Sequence, residues 1–336
     1  MPFALSNLRT WVGGSRAALE VQEGGRGDVV EEFPSESAVW IMGDSFSRGS
    51  LDFSAFTGRA RAARDLLIRS TRVPVHAFTC VVTPEAFVRI VRGLIGDFTA
   101  NTSTLTLNAG KRVTWAYRDR RGVDAEAVGG AIYTLEDAVV TRMDLMNELA
   151  VGGKGDLVAA VELYGEVDRV EDIPVEPDEE PVPDMPDSVL VQQMERSWRA
   201  RSIRVIRDPG GDDELELVPS FFGVSIFRAH IPVYSGARGP EDPAAPSRLV
   251  QVGPASIGAT IIGRPYDEYD SLRLDAERDR RYDYRVTWRN GPRVLTLHLD
   301  DVAFVDQTQR VAGGGRLGDM VLEGTSSGIR IVKEGF

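Results

Sequence analysis

The sequence predicts a mainly β protein built as two tandem copies of one domain, and three observations carry that expectation. Arg112-Val113-Thr114-Trp115 returns unchanged as Arg285-Val286-Thr287-Trp288. Its neighbours repeat in the same order: Leu105 to Ala109 with Leu272 to Ala276, Leu135-Glu136-Asp137 with Leu299-Asp300-Asp301, and Gly152 to Leu157 with Gly314 to Met320. A weaker pair, Pro84 and Phe87 against Pro254 and Ile257, opens the series. The period is a whole domain, which excludes a solenoid of short repeats. Between the copies, Glu171 to Asp187 sets Pro174, Pro177, Pro181, Pro183 and Pro186 among eight acidic residues. That composition makes an extended, self-repelling spacer. Finally, the apolar residues fall mostly in short β-rich runs bounded by Gly, Pro and Asn. The expected units are residues 1–170, a linker at 171–188, and residues 189–336. Trp115 and Trp288, and Asp156 and Asp319, are expected to mark equivalent points of the two.

Taken in order, residues 1–10 read as an N-terminal arm. Leu19–Gln22 and Ala38–Met42 read as strands, with a Gly-rich turn at 24–28 between them. Asp44 to Arg72 is too long for a simple connection, and such segments are usually functional or disordered. It either carries a surface helix at Ala60–Arg69 or forms an extended hairpin that packs on another subunit, since aromatic residues and arginine suit interfaces. Val73–Val82 is a strand. A helix then starts at Thr83-Pro84, with threonine as N-cap and proline at the first turn. Phe87, Ile90, Val91 and Leu94 give it one apolar stripe, and Gly96 ends it. Thr104–Asn108, Arg112–Arg118, Ala131–Thr141 and Leu157–Leu163 read as an antiparallel set. In the second copy, Arg201–Arg207, Glu214–Val218 and Phe221–His230 are strands, followed by a Pro/Gly loop at Ser235–Ser247 that stands where Asp44–Arg72 stands in the first. Asn290-Gly291 is a strong hairpin signal between Tyr282–Trp288 and Arg293–Asp300. Met320–Glu323 and Ile329–Val332 close the copy.

Length and charge bound the function. The chain has 336 residues, enough for about two domains with cores of their own. Its net charge of −12 argues against a protein that grips nucleic-acid phosphates. Of 39 basic residues only Lys111, Lys154 and Lys333 are lysine, which reads first as biased codon usage and alternatively as arginine forks suited to ion pairs at subunit interfaces. A single cysteine, Cys80, excludes an internal disulfide framework and a cysteine-based zinc site. No apolar run is long enough for a membrane-spanning helix, and the start of the chain lacks a signal peptide's apolar run. A soluble protein made in a cytoplasm is expected.

Little in the chain points to catalysis. His76, His230 and His298 are isolated, so no metal ligand set is expected. Gly152 to Asp156 looks like a phosphate cradle, but no helix pattern follows it. Glu136-Asp137 and Asp300-Asp301 are paired carboxylates, yet adjacent strand residues point to opposite faces. They read better as turn or edge residues that keep strands from aggregating. The expectation is a protein that is not an enzyme and uses no cofactor and no metal.

The layout resembles the major tail tube proteins of long-tailed bacteriophages, in the form that fuses two tube domains in one subunit. The residues that carry the resemblance are Thr134 to Val140 and Leu297 to Phe304, each leading through a Gly-rich turn into Gly155-Asp156-Leu157-Val158 or Gly318-Asp319-Met320-Val321. The resemblance implies that each copy is a β-sandwich or barrel with a short flanking helix. It implies that three chains make a pseudo-hexameric, homotrimeric ring, and that rings stack into a tube in the virion tail. The partners would be other copies, other tail proteins, and viral DNA passing through the lumen during ejection without specific binding. An acidic lumen suits that passage. On this reading Asp44–Arg72 is the ring-stacking element, with Phe46, Arg48, Phe53, Phe56, Arg59, Arg61 and Arg64 as its contact residues. The alternatives are a distal tail or hub component of the same fold, and a carbohydrate-binding or carbohydrate-active β protein.

Overall fold

The computed structural model describes residues 16–23, 38–47, 74–95, 104–106, 113–119, 130–148, 156–165, 167–173, 198, 203–217, 219–233, 248–263, 267–309 and 320–335. It is mainly β, with a 16-stranded antiparallel sheet that runs through both halves.

The first half contains β1 (Arg16–Glu23), β2 (Ala38–Ser47), β3 (Val75–Val81), helix α1 (Pro84–Ile95), β4 (Thr104–Thr106), β5 (Val113–Asp119), β6 (Gly130–Glu148), β7 (Leu157–Tyr164) and β8 (Val167–Ile173). β7 alternates buried and half-buried residues along its length, the period-2 signature of a strand with one face inward. The pairings run β6–β5–β1–β2–β3–β7 and return to β6, so six strands close into a barrel. α1 forms as its sequence dictates. Ala86 N–H donates to Thr83 Oγ1 at 3.2 Å, which caps the first turn, and Phe87, Ile90 and Val91 are fully buried.

The second half contains β9 (Arg204–Arg207), β10 (Leu215–Leu217), β11 (Phe221–Phe227), β12 (His230–Val233), β13 (Arg248–Gln251), β14 (Ser256–Gly263), helix α2 (Asp267–Glu277), β15 (Tyr282–Asn290), β16 (Arg293–Gln309), β17 (Met320–Ser326) and β18 (Gly328–Glu334). Its path is β10–β9–β15–β16–β17–β14–β11, and residues 218–220 alone separate β10 from β11. Each pairing of the first half has a counterpart here. β1–β2, β1–β5, β5–β6, β6–β7, β6–β8, β3–β7 and β2–β3 recur as β9–β10, β9–β15, β15–β16, β16–β17, β16–β18, β14–β17 and β11–β14.

β6 and β16 span 19 and 17 residues, far longer than ordinary strands. Each manages this by bending at bulges, which insert a residue and sharpen the local twist. β6 slips register against β5 between Leu135 and Ala138, and β16 slips against β15 between Leu299 and Val302. A second slip follows in each, between Val140 and Arg142 against β7 and between Phe304 and Asp306 against β17. β8 begins opposite Glu136 and β18 opposite Asp300. Glu136-Asp137 and Asp300-Asp301 are therefore bulge residues at the middle of a long strand, rather than turn or edge residues. Asp301 adopts φ 52°, a conformation that aspartate tolerates better than most side chains.

The bulges also fix which residues correspond. Leu135 pairs with Trp115 just before the first slip, and Leu299 pairs with Tyr284. Tyr284 thus holds the place of Trp115, while Trp288 lies further along β15 opposite Leu295. The two tryptophans sit on corresponding strands in different registers, despite their identical flanks. The echo between Leu105–Ala109 and Leu272–Ala276 likewise has no structural counterpart. The first includes strand β4, and the second lies in helix α2, where Leu272 is fully buried. α2 follows β14 as α1 follows β3, so it is α2, and not the segment at Pro254–Ile257, that stands in the place of α1. Pro254 instead lies just before β14, and Ile257 is the second residue of that strand.

The boundaries expected at residues 170 and 188 are crossed by structure. β8 continues through Ile173, three residues into the expected linker. Trp198, expected in the second unit, is fully buried against Phe87 of α1, their rings 6.1 Å apart and edge-on. Its carbonyl accepts from Leu157 N–H at 2.7 Å. In the other direction β4 pairs with β18, Arg330 to Val332 opposite Thr106 to Thr104.

Candidate assembly interface

The most instructive surface is one the chain has already covered. Beyond its second bulge β6 has β7 on one edge, and on the other it takes β11 of the second half. The seam runs from Phe221 opposite Glu148 to Phe227 opposite Arg142. On its inner face Val224 meets Leu145 and Ile226 meets Met143, all buried, so the two halves share core as well as ladder. Phe222 continues that face and sits edge-on to Trp288 at 6.0 Å. Cross-strand apolar pairs of this kind are the unit of sheet stabilisation.

The matching edges of the repeat are uncovered. β16 beyond its second bulge, Asp306–Gln309, pairs with β17 on one side, and among the described residues no strand pairs with the other. The β2 segment Gly43–Ser47, which corresponds to β11, pairs with β3 and with no second strand among the described residues. Open edges of this sort are templates for pairing with another chain.

A second feature is an exposed apolar hairpin. Among the described residues β12 and β13 pair only with each other, from His230 opposite Gln251 to Val233 opposite Arg248. Phe227, Ile231, Val233 and Val252 lie on and beside it, each between 42% and 52% exposed. They are the exposed large apolar side chains of the described residues, and they are gathered in one place. The hairpin leaves between β11 and β14, the counterpart of the connection between β2 and β3. Of the residues expected to make ring-to-ring contacts, Arg48, Phe53, Phe56, Arg59, Arg61 and Arg64 lie outside the described residues. Phe46 lies in β2 opposite His76.

A third is a groove of about 370 Å³ on the outer face of β9, β15, β16 and β18, lined by Arg204, Arg285, Arg289, Thr287, His298 and Glu334 among others. Arg204 forks onto Glu216, Nε to Oε1 at 2.9 Å and Nη2 to Oε2 at 2.8 Å. Both are half exposed, so the pair adds little to stability. Burial holds the His298 imidazole below its ordinary pKa, and the nearby Arg330 and Arg285 add to that. Three arginines and one glutamate line the groove, which makes it a cationic patch on an acidic protein.

His76 is fully buried beside Phe78, and burial lowers its pKa to about 4. Cys80 is fully buried, and burial pushes its thiol up to about 12, so it is unreactive at neutral pH. His230 Nδ1 lies 3.1 Å from the Arg228 carbonyl. Asp156 is half-buried at the start of β7, and Asp319 lies outside the described residues. No group of His, Cys, Asp or Glu among the described residues is arranged to hold a metal ion, and no described helix is long and apolar enough to cross a membrane.

The sequence missed the β11 edge because nothing in a strand's own pattern says what lies beside it. It missed the β12–β13 hairpin because Pro232 lies between Ile231 and Val233, and a proline within a short run argues against an interior strand. No protein-family model matches the chain, and no curated protein matches it.

Proposed function

We propose that the protein is a structural subunit whose activity is assembly with copies of itself, and that the assembly is the tail tube of a long-tailed phage. The observation that carries this reading is the recurrence of one pairing scheme in both halves, joined edge to edge by β6 and β11. On this reading such a chain supplies two segments of a ring, which is what a fused tube subunit requires. Three chains then supply six equivalent segments around a central hole. The exposed hairpin of β12 and β13 fits contact between successive rings, because a patch of apolar side chains on a soluble subunit marks a binding surface. The net charge of −12 fits a channel wall that repels phosphates and lets DNA slide. Function on this reading resides in surfaces and needs no catalytic group.

Electron microscopy of the purified chain tests the reading. Rings of three chains that stack into hollow tubes are the expected result. Assemblies that stop at a single ring point instead to a distal tail or hub component. A chain that remains monomeric at high concentration, and in the presence of a tail initiation complex, overturns both.

A further inference from the structure

We infer that the open edge of β16 beyond its second bulge takes β2 of a second copy of this chain, in the register in which β6 takes β11 within the chain. The inference rests on the self-assembly part of the reading above and not on the assembly being a phage tail.

The argument is one of equivalence. β11 enters the seam because β6, once past β5 and its bulges, has an edge with nothing on it. β16 reaches the same state past Val302, which lies opposite Tyr282, the first residue of β15. The strand that corresponds to β11 is β2, because each pairs with the strand that precedes the helix of its half. Within the chain both β2 and β16 are already fixed in their own halves, and among the described residues each has one edge without a partner strand. A second copy supplies the missing partner for each.

The register follows from the bulges. Ser225 of β11 lies opposite Asp144 of β6 and opposite Gly258 of β14. Arg142 and Asp306 are each the first residue past the second slip, so Asp144 corresponds to Thr308. Tracing β7 to β17 and then β3 to β14, Val75 corresponds to Gly258. The β2 residue opposite Val75 is Ser47. Ser47 of one copy therefore faces Thr308 of the next, with Phe46 facing Gln309.

The two edges are different surfaces, so the contact is head-to-tail and not two-fold. Head-to-tail contacts generate rings when the rotation closes and filaments when it does not. Halves then alternate around the assembly, first to second within a chain and second to first between chains. A strand edge left bare in the free subunit is a hazard that this pairing removes.

Cross-linking tests the register. Residues directly opposite in antiparallel strands have Cα atoms about 4.5–5.5 Å apart, within disulfide range. The native Cys80 is buried and does not compete. The double variant Ser47→Cys/Thr308→Cys, oxidised mildly after assembly, should give a ladder of covalent multimers on a non-reducing gel. Ser47→Cys mixed with Thr308→Cys should give covalent dimers and nothing larger, and neither single variant alone should cross-link. Asp144→Cys/Ser225→Cys reports the same geometry within one chain and should close without changing mass. The inference is overturned if that control closes while the Ser47/Thr308 pair does not, if Ser47→Cys alone dimerises as well, or if the chain stays monomeric. The mixed single variants keep the test open should the double variant fold poorly. A ladder without tubes in the microscope keeps the edge pairing and sinks the tail-tube reading, whereas tubes without a ladder do the reverse.

Discussion

Arg207 Nη1 lies 2.5 Å from Asp275 Oδ2, and both side chains are only 8% exposed. The pair ties the first strand of the second half, β9, to helix α2. Arg207 also donates to Ser271 Oγ at 3.0 Å and to the Asp213 carbonyl, and its guanidinium lies 4.8 Å from the centre of the Tyr282 ring. Every fork of the cation is thus engaged by neighbours. Breaking such a pair from one side leaves a buried charge without compensation. Asp275→Ala is expected to lower stability by about 3–5 kcal/mol, read from denaturant melts. The apolar double variant Arg207→Met/Asp275→Leu should recover most of the loss. Equal damage from the single and the double variant would mean that packing, not charge, holds α2 in place.

Acid stability should depend on His76. Its folded pKa of about 4 lies below the ordinary 6.5, so the unfolded chain binds the proton more readily between those values. The neutral, buried ring contributes its full share above pH 6.5, and that share is lost as pH falls towards 4. The loss is about 3 kcal/mol. His76→Leu, compared with the parent at each pH, should show a shallower decline over that window. Identical slopes for the two proteins would rule the group out.

Gly324 of β17 lies between Ala259 of β14 and Phe304 of β16, with little room for a side chain. A Cβ there would come within 2.6 Å of the Ala303 carbonyl oxygen and 2.9 Å of the Phe304 ring. The close contact arises where β16 bulges against β17, and a backbone oxygen cannot swing aside as a side chain can. Gly324→Ala is expected to lower stability by about 1–3 kcal/mol in thermal or urea unfolding. A neutral result would show that the bulge can relax.

If the β12–β13 hairpin makes the proposed ring-to-ring contact, its loss should affect assembly and not folding. Ile231 is 52% exposed and Val233 is 42% exposed, so neither contributes much to the core of a lone subunit. Ile231→Asp/Val233→Asp should leave the melting temperature nearly unchanged while abolishing growth from ring to tube, scored by sedimentation. Unaltered growth would place the stacking contact elsewhere.

Much of the fold was legible residue by residue. Thr83-Pro84 and the Phe87, Ile90, Val91 stripe announce α1, because capping and burial act within a few residues of each other. The hairpin at Asn290-Gly291 was legible too, although the loop residues are Gly291 and Pro292. Gly291 has φ 59°, at the first central position of the turn. α2 was not legible, since its buried residues are Leu272 and Asp275, and one of them is charged, so no apolar stripe announces the helix. The repeated Arg-Val-Thr-Trp misled on register, because strand equivalence is set by bulges in the partner strand and not by letters in the strand itself. The seam between β6 and β11 depends on two strands far apart in the chain, so no local pattern could announce it.

Burial of Trp198 against Phe87 has a consequence for how the chain comes off the ribosome. When synthesis reaches residue 173, the first barrel has all its own strands, yet the face of α1 at Phe87 is still uncapped and the β6 edge is still bare. Both wait for one later stretch, Trp198 for the helix and Phe221–Phe227 for the edge. β18, in turn, docks on β4, a strand made long before it. The two halves are therefore not beads that mature one after the other. Ribosome-bound chains stopped short of residue 198 should be cut readily by protease, and resistance should appear only once residue 227 has cleared the exit tunnel, about fifty residues after the first barrel's last strand by the chain order given above.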